Sequence, residues 1–224
     1  MKRSRSAVVG VLGILILLNF LRSGHCVGLE ATLIAVDNSA YMINEDQKPD
    51  RMTCQQECVN LICNVKTQNP DNTIGIMAMA SPRGACPRVY ISAAMNQDVP
   101  PILMKLNEIH ERVGHTVQFE KSLRVGWLSF RNRLNKNLRP RIVAIVASPI
   151  EDQDPQPLVH LGRRLRKNNV AVDVISFGSS TTVNAPVLQA FVAAVTRDGN
   201  SHLLTVPPDN YQLGGITDAL FSSP

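Results

Sequence analysis

The feature that most constrains the fold is an apolar, partly β-branched run at residues 32–36, which ends abruptly in Asp37, Asn38 and Ser39. A run of this kind is typical of a parallel strand that helices cover on both faces. In open α/β sheets, the residues just beyond a strand's carboxyl end line the crevice in which a ligand or a partner binds. The three polar residues are therefore candidates for a binding site. The alternative is that they only form a turn and cap the next element.

Further apolar runs alternate with amphipathic segments along the rest of the chain. The runs predict strands at residues 73–79, 142–147, 170–178 and 201–206, and a short edge strand at 88–92 that pairs antiparallel to its neighbour. The amphipathic segments predict helices at residues 51–66, 99–112, 119–134, 158–167, 187–195 and 215–221. Because strands alternate with helices, the fold class is predicted as α/β: a Rossmann-like three-layer α/β/α sandwich with a mostly parallel sheet and one antiparallel edge strand.

Length and charge narrow the classes of function. The 224 residues are enough for one domain of ordinary to large size. The net charge is +5, and removing the four basic residues among the first 26 leaves +1 for the remainder. The remainder is thus nearly neutral, and its composition gives no electrostatic reason to expect nucleic-acid binding.

The first 26 residues have the pattern of a signal peptide. Basic residues at 2–5 precede an uncharged, mostly aliphatic run at 7–18, and Gly24 and Cys26 supply small residues at the positions that signal peptidase inspects. The run is short for a membrane span. The domain organisation is therefore predicted as a signal-peptide-like leader or gene-model extension at residues 1–26 and a single domain at residues 27–224.

The cysteines and histidines do not form a recognisable metal or redox motif. None of the five cysteines (Cys26, Cys54, Cys58, Cys63 and Cys86) belongs to a C-x-x-C pair, so we expect small buried apolar side chains. Cys54 and Cys58 share a helical face, from which Cys63 is expected to turn away. His110 and Glu111 with His115 resemble a zinc-protease motif, but positions five apart on a helix diverge by about 140°, which predicts surface histidines.

The sequence lacks motifs for catalysis and cofactor binding. No G-x-G-x-x-G follows the first strand, and neither a phosphate-binding G-x-x-x-x-G-K-[ST] loop nor a G-x-S-x-G nucleophile elbow occurs. Without a recognisable nucleophile–base pair, a hydrolase is not favoured. We therefore predict that the protein is not an enzyme, with no catalytic residue and no cofactor.

A divalent-metal site of the von Willebrand factor A type is incomplete in this chain. That site takes oxygen ligands from Asp-x-Ser-x-Ser after the first strand, a Thr in a later loop and an Asp after the central strand. Asp37 and Ser39 match, but Tyr41, Lys121 and Ser148 stand at the other positions. Mg²⁺ requires about six oxygen ligands in an octahedron, which two residues beside an ammonium group do not supply. We therefore predict no bound metal.

Stretches of sequence along nearly the whole domain resemble one family. Residues 29–224 resemble the von Willebrand factor A-domain subunit of the 26S proteasome regulatory particle, a non-ATPase, polyubiquitin-receptor family. The matching stretches occur in the same order, at residues 29–32, 36–41, 69–75, 141–150, 167–178, 201–208 and 222–224. The resemblance also implies that the metal site is incomplete, since the A domain of that family lacks a complete site.

The resemblance implies a scaffold rather than an enzyme. In that family the A domain docks on the regulatory particle and helps to hold lid and base subunits together, and ubiquitin-interacting helices in a C-terminal tail bind polyubiquitin. Asp37, Asn38 and Ser39 would then form part of the docking surface. No ubiquitin-interacting segment follows the last strand here, so residues 27–224 are expected not to bind polyubiquitin.

Localisation and two other functions depend on the leader and the metal site. Proteasome partners imply cytoplasm and nucleus, and a secretory route follows only if residues 1–26 act as a signal. A secreted, adhesion-type A domain would require that leader and a cation site. An A-domain subunit of a transcription and DNA-repair complex shares the fold, but such subunits usually continue into zinc-binding cysteine clusters.

Overall fold

The computed structural model describes residues 29–43, 50–82, 90–131, 133, 135–151 and 153–206. The predicted leader at 1–26, Cys26, Cys86 and the predicted helix at 215–221 lie outside these described residues. The strands are β1 (Glu30–Val36), β2 (Thr73–Ala78), β3 (Ala80–Pro82), β4 (Tyr90–Asn96), β5 (Gly114–Val117), β6 (Arg139–Val146), β7 (Ala171–Ser176) and β8 (Leu203–Thr205). The helices are α1 (Arg51–Lys66), α2 (Val99–Glu111), α3 (Phe119–Arg131), α4 (Pro155–Lys167) and α5 (Thr181–Val195), with a 3-10 turn at Ala40–Ile43.

The main sheet has six strands in the order β4-β2-β1-β6-β7-β8. Every neighbouring pair is parallel except β4 with β2, which is antiparallel. β1 lies between β2 and β6, so Leu33 is opposite both Gly75 and Ile142. The predicted fold class is confirmed: the sheet is mostly parallel, and its one antiparallel strand is at an edge.

Helices cover both faces of the sheet and form two apolar cores. Because successive side chains of a strand point to opposite faces, Leu33 and Ala35 of β1 pack in the core under α3, α4 and α5. Ile34 and Val36 pack in the other core, under α1 and α2. The continuous apolar run of β1 therefore reflects burial on both faces, as the sequence predicted.

Several helix boundaries differ from the prediction because of proline and capping. α5 begins at Thr181 and contains Pro186, whereas a helix beginning after that proline was predicted. α4 begins at Pro155, and Asp154 caps it by accepting a hydrogen bond of 3.0 Å from Gln156 N. Proline is well suited to the first helical position, since the amide it lacks has no partner there.

A small second sheet, β3 paired antiparallel with β5, was not predicted. Its strand β3 follows β2 almost directly in the sequence. Its strand β5 begins at Gly114, which forms an isolated parallel bridge with Ser39, just after the end of β1. Both strands are too short to give a periodic pattern, which explains why the sequence did not reveal them.

The described cysteines are free and buried, as predicted for small apolar residues. The expectation that Cys63 turns away from the buried face is wrong, because Cys63 is fully buried in the same core as Cys54 and Cys58. It lies four positions after Val59 and continues that row of the helix. Burial raises the pKa of the Cys58 thiol to about 12 and that of Cys63 to about 11, so neither is a reactive thiolate at neutral pH.

Candidate functional site

The polar residues that follow β1 lie at the carboxyl edge of the sheet, where the sequence placed them, but they are inside the protein. Asp37, Asn38 and Ser39 each have an exposed fraction of 0%. They could therefore meet a partner directly only if the surrounding loops moved apart. Their hydrogen bonds show what they do in this conformation.

The Asp37 carboxylate joins the end of β1 to the end of β6. Its Oδ1 accepts from Ser39 N at 2.9 Å. Its Oδ2 accepts from Ala147 N at 3.1 Å, Ser148 N at 3.0 Å and the Ser148 hydroxyl at 2.6 Å. Gln55 of α1 adds a pair of bonds of 2.9 Å to the backbone N–H and C=O of Asp37. The bond from Ser39 N is the local, turn-forming alternative that the sequence left open, whereas the bonds from Ala147 and Ser148 link two strand ends.

Asn38 performs a similar task towards the small sheet. Its Oδ1 accepts from Ala80 N at 2.8 Å, and its Nδ2 donates to Arg112 O at 3.0 Å. Its backbone oxygen accepts from Gly114 N at 2.7 Å. The Ser39 hydroxyl is buried without a hydrogen-bond partner among the described residues. The partner-binding role of Asp37, Asn38 and Ser39 stays a prediction, and their burial favours an indirect role.

A buried arginine completes this edge. Arg51, the first residue of α1, has an exposed fraction of 0%. Its Nη1 donates to Tyr41 O at 3.2 Å and to Ala147 O at 3.0 Å, and its Nη2 donates to Ser179 Oγ at 2.8 Å. Sequence reasoning missed Arg51, because a basic residue at a helix start is usually exposed.

The side chains at this edge do not fit a divalent cation. Both oxygens of Asp37 already accept hydrogen bonds, and the guanidinium of Arg51 is bound to the carbonyl of Ala147, whose amide donates to Asp37. Lys121 Nζ, at the position of the expected threonine, donates to Gln118 Oε1 at 2.8 Å. Across the described ranges, no group of three His, Cys, Asp or Glu side chains could hold a metal ion.

The two histidines of the zinc-like motif lie on different elements. His110 is in α2 and is half-buried, whereas His115 is exposed in β5. The prediction of surface histidines is therefore correct for His115 and wrong for His110. Burial lowers the pKa of His110 to about 4, so its imidazole is neutral at physiological pH.

A cavity beside this edge is too small to indicate a substrate site. It has a volume of about 100 Å³ and lies between the starts of α3 and α4, with Phe119, Lys121, Ile150 and Leu158 among its walls. Pockets that bind small molecules typically measure about 300–1,000 Å³.

Three exposed apolar residues belong to the turn and the helix start at this edge. Tyr41 and Ile43 in the turn after β1 are 46% and 61% exposed, and Val183 in the first turn of α5 is 54% exposed. Ser179 in the loop after β7 is also exposed. We call these four residues the carboxyl-edge surface. Within the described part of the chain, no helix combines the length and the apolar character needed to cross a membrane.

The fold and this edge define the class of protein: residues 32–149 match the von Willebrand factor type A domain family. The chain is 40% identical to the 26S proteasome non-ATPase regulatory subunit 4 of Dictyostelium discoideum, over 84% of this chain and 52% of that protein. It is 34% identical to the 26S proteasome regulatory subunit rpn10 of Schizosaccharomyces pombe, over 85% of this chain and 74% of that protein. The chain therefore belongs to the family of 26S proteasome regulatory subunit 4, also called Rpn10, and the resemblance found in the sequence is confirmed.

Solved structures agree with this assignment. The crystal structure of the SpRpn10 VWA domain is similar with a TM-score of 0.75 and 34% identity, covering 88% of this chain and 96% of that one. Proximal thread matrix protein 1 from the mussel byssus has a TM-score of 0.61 at 16% identity, which shows the shared fold alone. The chain spans about half the length of the first curated relatives that it matches.

Proposed function

We propose that this chain is the docking domain of a proteasome regulatory subunit: a non-catalytic scaffold that binds the regulatory particle and helps to hold lid and base together. The observation that carries the proposal is the similarity, over more than four fifths of the chain, to proteins named as 26S proteasome regulatory subunits. The docked subunit would act in ubiquitin-dependent protein degradation in the cytoplasm and the nucleus. Polyubiquitin recognition, which the resemblance assigns to a C-terminal tail, is not proposed for residues 27–224.

The geometry supports protein binding rather than chemistry at the carboxyl edge. The carboxylate and amide of Asp37 and Asn38 bind the protein's own backbone, so they are not free to act on a substrate. Three of the four residues of the carboxyl-edge surface, Tyr41, Ile43 and Val183, are exposed and apolar. Exposed apolar patches on a protein surface mark interaction sites. In this proposal Asp37, Asn38 and Ser39 shape the docking loops from beneath, while Tyr41 and Val183 touch the partner.

Co-sedimentation with proteasomes tests the proposal. The full chain is added to proteasomes purified from cells that lack the endogenous subunit, and the bound fraction is measured after gradient sedimentation. Tyr41→Glu and Val183→Glu place a charge on the carboxyl-edge surface and should reduce the bound fraction at least tenfold, since a buried unpaired charge at an interface is costly.

Met104→Glu is the matched control, because Met104 is 67% exposed in the middle of α2 and is not part of the carboxyl-edge surface. It should sediment with proteasomes as the unmodified chain does. If the unmodified chain does not co-sediment, docking is wrong. If it does and all three variants still bind, docking uses another surface.

A further inference from the structure

Arg51 connects three loops that are distant in sequence. Tyr41 lies in the turn after β1, Ala147 directly after β6 and Ser179 in the loop after β7. The guanidinium donates to the backbone oxygens of the first two and to the hydroxyl of the third, at 3.2, 3.0 and 2.8 Å. Two of these residues, Tyr41 and Ser179, belong to the carboxyl-edge surface.

The complete burial of the Arg51 guanidinium indicates a structural role for it. An arginine with no exposed surface is tolerated only when its hydrogen bonds offset the loss of hydration. The protein also makes room for it at Gly178, where a Cβ would stand 3.0 Å from Arg51 Cζ. Gly178 has φ of 80°, a conformation that other residues adopt at a cost. The absence of a side chain at Gly178 therefore leaves the space that the guanidinium occupies.

We propose that Arg51 is the positioning residue of the carboxyl-edge surface, an internal cation that cross-links oxygen atoms of the three loops. At the same edge of a metal-binding domain of this fold, an exchangeable divalent cation would collect oxygen ligands from neighbouring loops. Here the residues do not fit such an ion, and the guanidinium supplies the cross-link permanently, because it is covalently part of the chain and cannot dissociate. The part of this inference that concerns docking rests on the proposed function.

Arginine suits this task better than lysine. Its planar fork carries five N–H donors, so one side chain can reach carbonyls on one side and a hydroxyl on the other. A lysine has a single nitrogen at its end and cannot bind acceptors around both Nη1 and Nη2. Arg51→Lys therefore keeps the charge but loses part of the cross-link, and Arg51→Met loses all of it.

The test measures loop order and docking separately. Amide hydrogen exchange at residues 40–43 and 178–182 is compared for the unmodified chain, Arg51→Met, Arg51→Lys and Gly178→Ala, and each is then assayed for co-sedimentation with proteasomes well below its melting temperature. Leu161→Ala is the control, since it removes a buried side chain from α4, in the core on the other face of the sheet from α1. It destabilises the domain without touching Arg51.

Arg51→Met should raise exchange in both loops at least tenfold over Leu161→Ala and reduce docking by a similar factor, with Arg51→Lys and Gly178→Ala in between. Added Mg²⁺ should restore neither. If Arg51→Met does not fold, the Lys and Gly178 variants decide the test, because both keep the positive charge. Loop exchange equal to that of Leu161→Ala in every variant would overturn the cross-link. Loops that loosen without loss of docking would overturn the positioning role, and an unmodified chain that fails to dock would count against the proposed function instead.

Discussion

Asp37→Ala removes a carboxylate that accepts hydrogen bonds from three buried backbone amides, those of Ser39, Ala147 and Ser148. A buried donor left without an acceptor costs about 1–3 kcal/mol. The Ser148 hydroxyl can rotate to another acceptor, so the three amides dominate, and the lower half of the range gives a loss of about 4 kcal/mol in the free energy of unfolding. For a domain of this size that corresponds to a melting temperature roughly 8–16 °C lower.

Differential scanning calorimetry and urea unfolding measure this loss. Asp98→Ala is the matched control, because Asp98 is exposed and its side chain makes no capping hydrogen bond with α2. Its effect should stay within about 0.5 kcal/mol. If Asp37→Ala melts within about 2 °C of the unmodified chain yet no longer sediments with proteasomes, the structural reasoning is wrong and Asp37 acts directly in docking.

Three further predictions concern charge. The hydrogen bond to Asp173 raises the pKa of His202 above its ordinary value of 6.5. The stability that His202 adds is therefore fully present below pH 6.5 and is lost as pH rises through the raised pKa. The difference in melting temperature between the unmodified chain and His202→Gln should accordingly shrink with rising pH. Arg141→Met removes the partner that the mostly buried carboxylates of Glu30 and Asp173 share. Because Glu30 keeps Lys66 and Asp173 keeps His202, the loss in urea unfolding should be about 2 kcal/mol, whereas Arg124→Ala, at an exposed pair, should cost less than about 0.5 kcal/mol. Millimolar Mg²⁺ or Mn²⁺ should leave the melting temperature unchanged, whereas an ion at 100 times its dissociation constant would add about 2.7 kcal/mol.

Each of these has a result that would contradict it. A constant difference for His202→Gln between pH 5.5 and 8 would show that the imidazole gains no proton affinity on folding. Equal losses for Arg141→Met and Arg124→Ala would mean that the ion pairs across β1, β6 and β7 contribute no more than a surface pair. A clear rise in melting temperature with Mg²⁺ would show that Asp37 and its neighbours accept a cation.

Sequence patterns were sufficient for the strands of the main sheet and for the place of the candidate site. The strands β1, β6 and β7 are long apolar runs buried on both faces, and such runs carry their own signal. The position of Asp37 at a carboxyl edge followed from the topology of parallel sheets. For these strands the local hydrophobic pattern agrees with the burial in the folded protein, so the pattern alone was enough to predict them.

The contacts inside the site could not be predicted, because they join residues far apart in sequence. Asp37 binds amides 110 and 111 positions away, and Arg51 binds Ser179 across 128 positions. Ser148 was considered only as a missing metal ligand, although its backbone and hydroxyl are what hold the Asp37 carboxylate. The missing metal ligands were the one available signal, since an aspartate without its cation must find other donors.

The most direct test of membership in a working proteasome is to tag the endogenous full-length gene product and identify the proteins that co-purify with it by quantitative mass spectrometry. We expect lid and base subunits of the regulatory particle in nearly equal amounts, and loss of both when Arg51→Met is introduced into the tagged copy. Recovery of the tagged protein in good yield without proteasome subunits, or from the culture medium, would contradict it.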